Sequence, residues 1–150
     1  MRVIRLTKRA HATTLDGKGA AITGGRWNSV VGKAVVYAAS CGALAAFEYL
    51  AHADKSVFPA TLVFMTIEVP DLQMERVHTP PADVAASRQI GDDWLASKST
   101  ILLEVPSVLI PKQKNYLLNP DHPLFGAIRI VETNPFAFDS RLLSAIPPTS

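Results

Sequence analysis

Apolar positions along the chain fall into short blocks that prolines and glycines separate. Blocks rich in β-branched and aromatic residues are typical of strands. They predict strands at residues 3–6, 34–39, 61–69, 100–105, 116–118, 127–131 and 136–138. The block at 61–69 does not alternate cleanly between apolar and polar residues, which indicates a strand buried on both faces. Pro70 and Pro106 end two of these strands because proline donates no ladder hydrogen bond.

A different periodicity marks residues 40–52, where apolar side chains recur at helical spacing. We expect a helix there, with Ser40 as its N-cap. The face predicted to be buried carries Leu44, Phe47, Glu48 and Ala51.

The remaining segments show weaker patterns. Residues 15–25 are rich in glycine and have no period, which predicts a loop, and residues 83–98 predict only a short helix after Gly91. Because strands and helices do not alternate as regular βαβ units, the fold class expected is α+β, not a doubly wound sheet. We find no repeat or linker, so residues 1–150 are predicted to form a single domain with a frayed tail at 146–150.

Composition narrows the class of protein. The 150 residues are 48% hydrophobic and 19% charged, which is enough apolar material for a core. The formal charge of +2 and the scattered basic residues give no footprint for nucleic acid or an anionic membrane. Cys41 is the sole cysteine, which excludes an internal disulfide, and the histidines lack metal-ligand spacing. With no signal-peptide pattern and no long apolar run, we expect a cytoplasmic protein that binds no metal.

Glu48 is the most informative single residue. It falls on the helix face that is predicted to be buried, and a buried carboxylate is costly unless it is paired. Two interpretations stay open: a catalytic or ligand-holding group, or a carboxylate at the edge of the apolar stripe, exposed or in an ion pair.

Three further features can carry chemistry. In the segment 24–28, Arg26 offers a planar set of donors for phosphate or carboxylate, and Trp27 a flat face for a base. The alternative is a tight turn with a solvated arginine and a core tryptophan. Tyr37 can stack on a ring or pack in a sheet. Ser107 can act as nucleophile, donor or turn hydroxyl, although no G-x-S-x-G surrounds it.

Taken in order, five short strings resemble the RES-domain family, the toxins of bacterial RES–Xre toxin–antitoxin modules. The strings are GGRWN at 24–28, VVYAA at 35–39, ALAAFEYL at 43–50, VPS at 105–107 and NYLLNPDHP at 115–123. The resemblance extends from about residue 5 to about residue 141.

The resemblance implies an ADP-ribosyltransferase-like fold with mixed β-sheets around a cleft for NAD. It also implies that NAD is the substrate and that the nicotinamide–ribose bond is cleaved by hydrolysis or phosphorolysis. The alternative is transfer of ADP-ribose to a cellular protein. By position, the expected catalytic residues are Arg26, Glu48 and Ser107. The expected NAD contacts are Arg5, Arg26, Trp27, Tyr37 and Asn119.

These residue types suit that chemistry. Glycosidic cleavage builds positive charge on the ribose, which a carboxylate such as Glu48 can stabilise. Arg26 and Arg5 can clamp the pyrophosphate. Tyr37 can stack on nicotinamide, and Ser107 can hold the carboxamide or the ribose. Many ADP-ribosyltransferases have the order Arg, Ser, Glu, so their roles do not transfer to Glu48 and Ser107 by name.

The acceptor and the partner are expected from the resemblance as well. Acceptor-modifying relatives often carry an acidic residue or glutamine two positions before the glutamate; here Ala46 stands there, which favours water or phosphate. The expected partner is an Xre-like antitoxin that blocks the cleft. The expected assembly is a hetero-oligomer with this antitoxin, and a homodimer of the chain is the alternative. No direct contact with nucleic acid or membrane is expected. A catalytically silent NAD-binding module is the competing class.

Overall fold

In the computed structural model, which describes residues 1–53, 61–71 and 73–144, the chain folds into one mixed β-sheet with four α-helices. The strands are β1 Arg2–Lys8, β2 Val36–Ala39, β3 Leu62–Glu68, β4 Met74–Arg76, β5 Leu102–Pro106, β6 Lys114–Leu118 and β7 Arg129–Phe136. The helices are α1 Lys18–Thr23, α2 Gly42–His52, α3 Val84–Ser97 and α4 Ser140–Ser144. The predicted tail at 146–150 lies outside the described residues.

The strand order is β4-β5-β6-β2-β1-β3-β7. β4 runs parallel to β5, and the other neighbours are antiparallel. β1 pairs with β3 along its whole length, but within the described chain it pairs with β2 only at Ile4 and Ala39. The sheet therefore has two parts, β4-β5-β6-β2 and β1-β3-β7, which meet at a narrow joint.

Three apolar clusters cover the two faces of this sheet. The first is shared by both parts and contains Val3, Val63, Met65, Val36, Ala38 and Leu118, among others. The second lies under α3 and contains Trp27, Val35, Trp94, Leu95, Leu103, Val105 and Leu117. The third lies under α2 and contains Leu6, Ala39, Leu44, Ala45 and Leu62. β3 contributes Leu62 to one face and Val63 to the other, as the lack of clean alternation at 61–69 predicts.

The helix predicted at 40–52 is present, but its start and its buried face differ from the prediction. Helix α2 begins at Gly42, and its N-cap is Cys41, whose side chain makes no capping bond, so Ser40 is not the cap. Leu44 and Ala45 are the buried residues, whereas Phe47 is 54% exposed. The helix lies on a narrow apolar strip, so its buried face is narrower than the sequence period predicts, and Glu48 stands at its margin.

Two other predictions were wrong. The segment 15–25 contains helix α1, with a glycine at each end. Gly17 and Gly24 have φ of +66° and +70°, a backbone conformation that glycine adopts readily because it has no Cβ. Helix α3 begins at Val84, well before Gly91, because the Asp83 side chain accepts from the Ala86 amide at 2.8 Å.

Strand bounds at the carboxyl end also differ. The strands predicted at 127–131 and 136–138 are one edge strand, β7, in which Pro135 is tolerated because one side of the strand is unpaired in the sheet order. β4 is too short and too polar for its sequence to signal it. Within the described ranges, no helix has the length and apolarity needed to cross a membrane.

Candidate active site

The carboxylate of Glu48 is the centre of a hydrogen-bonded cluster between α2 and the sheet. The Ser107 hydroxyl, just after β5, donates to Oε1 at 2.9 Å. The Asn115 amide, on β6, donates to the same Oε1 at 2.7 Å. On the other side, Oε2 lies 3.5 Å from His52 Nε2, one turn along α2. The structure thus brings Glu48 and Ser107, which are far apart in sequence, into direct contact.

Competing effects set the charge of this carboxylate. Burial raises the pKa of Glu48, but the hydrogen bonds from His52, Asn115 and Ser107 together outweigh this effect, so the net pKa lies below its ordinary value. The hydrogen bond to Glu48 raises the pKa of His52 above its ordinary value, against burial and the nearby charge of Arg26. The site therefore holds an ionised carboxylate at neutral pH.

Tyr37 fixes the segment that carries Arg26. The Tyr37 hydroxyl donates to Asn28 Oδ1 at 2.6 Å and accepts from the Trp27 amide at 3.1 Å. A Cβ at Gly25 would lie 2.5 Å from that hydroxyl, so glycine is required for the close approach. Burial raises the pKa of Tyr37 to about 12, which keeps its hydroxyl protonated as a donor.

Helix α3 holds the same segment from the opposite side. Arg88 Nε donates to the Gly25 carbonyl at 2.8 Å. The Asp92 carboxylate accepts from the Ser29 amide at 3.0 Å and from the Ser29 hydroxyl. The segment is therefore fixed at both ends, which limits the motion of Arg26 between them.

Arg26 is half-buried, and its charge lowers the pKa of His52, the partner of Glu48. Its Nε is buried without a hydrogen-bond partner among the described residues. A buried donor of this kind is costly unless a ligand or solvent satisfies it. Arg26 is therefore suited to interact with an acceptor-rich group.

The other expected NAD contacts are bound into the scaffold. Arg5 Nη1 donates to the Tyr37 carbonyl at 3.3 Å, across the joint between the two parts of the sheet. The Trp27 side chain is buried in the second cluster. Asn119 Nδ2 donates to the Leu95 carbonyl at 3.1 Å, and its Oδ1 accepts from the Asp121 amide at 3.1 Å. The polar atoms of Asn119 are thus used by the fold.

Sequence reasoning gave no site role to Asn115, His52, Arg88 or Asp92. The i,i+4 spacing of Glu48 and His52 on a helix is a signal that could have found this pair. Asn115 could not be found in that way, because its contact with Glu48 depends on how β6 pairs with β5 and β2. Among the described residues, no group of three or more His, Cys, Asp or Glu side chains is placed to hold a metal ion.

Comparison with known proteins identifies the class. The RES domain family matches residues 2–139, and the chain belongs to that family. It is 39% identical over 95% of its length to the "Prs ADP-ribosylating toxin" of Sphingobium sp., covering 94% of that relative. It is 37% identical over 95% of its length to "Toxin Res" of Yersinia enterocolitica, covering 99% of that protein.

A solved structure shows the same fold. A chain in the crystal structure of the M. tuberculosis MbcT–MbcA toxin–antitoxin complex matches with a TM-score of 0.74 and 19% identity, over 95% of this chain and 86% of that one. The resemblance to the RES family and the α+β class are confirmed. The relatives' names agree with the expected toxin role.

Proposed function

We propose that the protein is the toxin of a type II toxin–antitoxin module and that it consumes NAD by cleaving the nicotinamide–ribose bond, with water or phosphate as acceptor. One observation carries this proposal. The ionised Glu48 carboxylate is held at Oε1 by Ser107 and Asn115, while Oε2 has only His52 beside it, at 3.5 Å, among the described residues.

The reaction places its main demand on that carboxylate. As the bond from C1′ to the nicotinamide nitrogen breaks, positive charge develops on the ribose. Glu48 stabilises this charge, and it does so efficiently because its donors fix it before the substrate binds. Nicotinamide leaves as a neutral molecule that keeps the bonding pair, so it needs no proton. Water or phosphate then bonds to C1′, and water loses its proton to solvent.

Arg26 and Arg5 bind the pyrophosphate of the dinucleotide in this proposal. Arg26 offers the charge of its guanidinium to the pyrophosphate, and the bonds from Tyr37 and α3 hold its segment in place. Arg5 supplies a second positive charge from β1, and Tyr37 a ring surface for nicotinamide. Trp27 and Asn119 support the site through packing and backbone contacts. The catalytic set we propose is Arg26, Glu48 and Ser107.

A toxin of this kind requires restraint in its own cell. We propose an Xre-like antitoxin partner that covers the region around Glu48 in a hetero-oligomer in the cytoplasm. The solved neighbour is itself part of a toxin–antitoxin complex, which supports a partner of that kind.

A second candidate is transfer of ADP-ribose to a cellular protein. The name of the Sphingobium relative, an ADP-ribosylating toxin, favours this candidate. Ala46, two positions before Glu48, favours a small acceptor instead. Both candidates require the same bond to break at the same carboxylate.

Incubation of the purified protein with adenylate-labelled NAD tests the proposal. We expect wild type to release nicotinamide together with ADP-ribose, or with its 1-phosphate when phosphate is present. Glu48→Gln should lower the rate about 10²–10³-fold, since it removes the charge that stabilises the transition state. Glu132→Gln, on the exposed edge strand β7, is the matched control and should retain full activity.

Two outcomes would contradict the main proposal. Intact NAD after long incubation with wild type would exclude hydrolysis and phosphorolysis. Label that stays on a protein band from added cell extract, and is lost with Glu48→Gln, would establish the second candidate instead.

A further inference from the structure

The Asn115 side chain occupies an unusual position beside Glu48. It projects from β6 at the level of Val105 on β5 and Ala39 on β2, so paired strands fix its backbone on both sides. Its Nδ2 donates to Glu48 Oε1 at 2.7 Å. The reverse amide orientation would set Oδ1 against a carboxylate oxygen, and two acceptors repel, so chemistry fixes which end faces Glu48.

The two carboxylate oxygens are therefore unequal. Oε1 accepts from both Asn115 and Ser107. Ser107 is itself held, because its hydroxyl accepts from the Ile110 amide at 3.2 Å. Oε2 has only the longer contact to His52, at 3.5 Å, among the contacts within the described chain. Oε2 is thus the oxygen open to a ligand.

The far end of the Asn115 amide argues against a purely structural role. Its Oδ1 is buried and has no hydrogen-bond partner among the described residues. An unpaired buried acceptor destabilises the fold, whereas a scaffold amide such as that of Asn119 satisfies both of its ends. The cost is explained if the N–H of Asn115 is needed at the carboxylate.

We propose that Asn115 is a positioning residue for the reaction: it fixes the rotation of the Glu48 carboxylate so that Oε2 faces the ribose. This inference rests on the proposed NAD cleavage. Ser107 shares the task from the end of β5, and together the two donors hold Oε1 in place. Among the described residues, the charged groups that act on Glu48 or on its partner are His52, on the same helix, and Arg26, whose charge acts on His52.

The test is the pH dependence of kcat/KM for nicotinamide release. Asn115→Ala should lower kcat about 10- to 100-fold, the loss expected when a bond to a charged group is removed, with a smaller change in KM. The acidic limb of the pH profile of this variant should move to higher pH, because Glu48 loses a hydrogen-bond donor that stabilises its ionised form. The near-isosteric Asn115→Asp should move the limb further, since a second carboxylate disfavours ionisation of the first.

Asn134→Ala is the matched control. It removes the same kind of bond, from Asn134 Nδ2 to Glu132 at 2.9 Å, on the exposed strand β7, and should leave rate and profile unchanged. A folded Asn115→Asp with the acidic limb of wild type would overturn the inference while NAD cleavage stands, as would an Asn115→Ala that lowers only the melting temperature. If wild type leaves NAD intact, the inference and the proposed function fall together.

Discussion

The Glu48 and His52 side chains influence each other's charge in opposite directions. Burial raises the pKa of Glu48, but hydrogen bonds, the largest from His52, bring the net value below the ordinary 4.5. The hydrogen bond to Glu48 raises the pKa of His52 above the ordinary 6.5, although burial and Arg26 oppose it. Each side chain therefore stays charged over a wider pH range than it would without its partner.

This coupling predicts a pH window for stability. The depressed pKa of Glu48 stabilises the fold above about 4.5 and ceases to do so as pH falls through the folded value. The raised pKa of His52 stabilises the fold below about 6.5 and ceases to do so as pH rises through its folded value. Both contributions are present together between those two values.

His52→Gln should therefore lower the free energy of unfolding most between pH 4.5 and 6.5, and by less as the pH rises through the raised pKa of His52. The His52 side chain is 73% exposed, so solvent screening keeps the loss below about 1 kcal/mol. Urea unfolding at pH 5.5 and pH 8.5 measures this difference. The exposed His78 provides the control in His78→Gln. An equal loss at both pH values would contradict the ion pair.

At the scale of the element, α3 acts as a support for the segment that carries Arg26. A Cβ on Gly91 would lie 1.7 Å from the Trp27 carbonyl oxygen, which is backbone and cannot yield. The helix can pack this closely, and Arg88 and Asp92 can reach the segment, because that position has no side chain.

Gly91→Ala should therefore lower the free energy of unfolding by about 1–3 kcal/mol, the cost typical of overpacking. It should also lower activity because it displaces the segment that carries Arg26. Gly19→Ala, within α1, is the matched control: nothing lies within 4 Å of its added Cβ, and we expect a gain of about 0.5–1 kcal/mol. Chemical denaturation and nicotinamide release measure the two effects. Equal stability of both variants would show that α3 does not pack on Trp27 as described.

Element patterns also explain what the sequence could and could not predict. The strands at 3–6, 34–39, 61–69 and 100–105 were predictable because their residues are mostly apolar and include many β-branched side chains. The start of α3 was missed because its first turns are exposed and mixed, and Gly91 resembles a boundary although it serves close packing. Glu48, Ser107 and Arg26 were expected from the resemblance, but Asn115 was not, because strand register is invisible in one sequence.

At the scale of the molecule, the two parts of the sheet depend on each other. They pair only at Ile4 and Ala39 within the described chain, yet the first apolar cluster draws on both. Since β1 and β2 contribute to one core, neither part can bury its apolar face alone. The site lies at the joint: α2 packs on Leu6 of β1 and Leu62 of β3 in one part and on Ala39 of β2 in the other, and Asn115 and Ser107 belong to the part that contains β2.

Shared burial predicts a single cooperative unfolding transition. The chain has two tryptophans, Trp27 and Trp94, and both lie in the second cluster, so tryptophan fluorescence reports on the unfolding of that cluster.

Met65, fully buried on β3, lies in the first cluster. Met65→Ala should lower the free energy of unfolding by about 2–5 kcal/mol and shift the fluorescence and far-ultraviolet circular dichroism midpoints equally. Met74→Ala, at the half-buried edge strand β4, should shift both less. A Met65→Ala variant whose tryptophan transition stays at the wild-type midpoint would show that the two parts fold independently, and Arg26 and Glu48 would then be held by separate units.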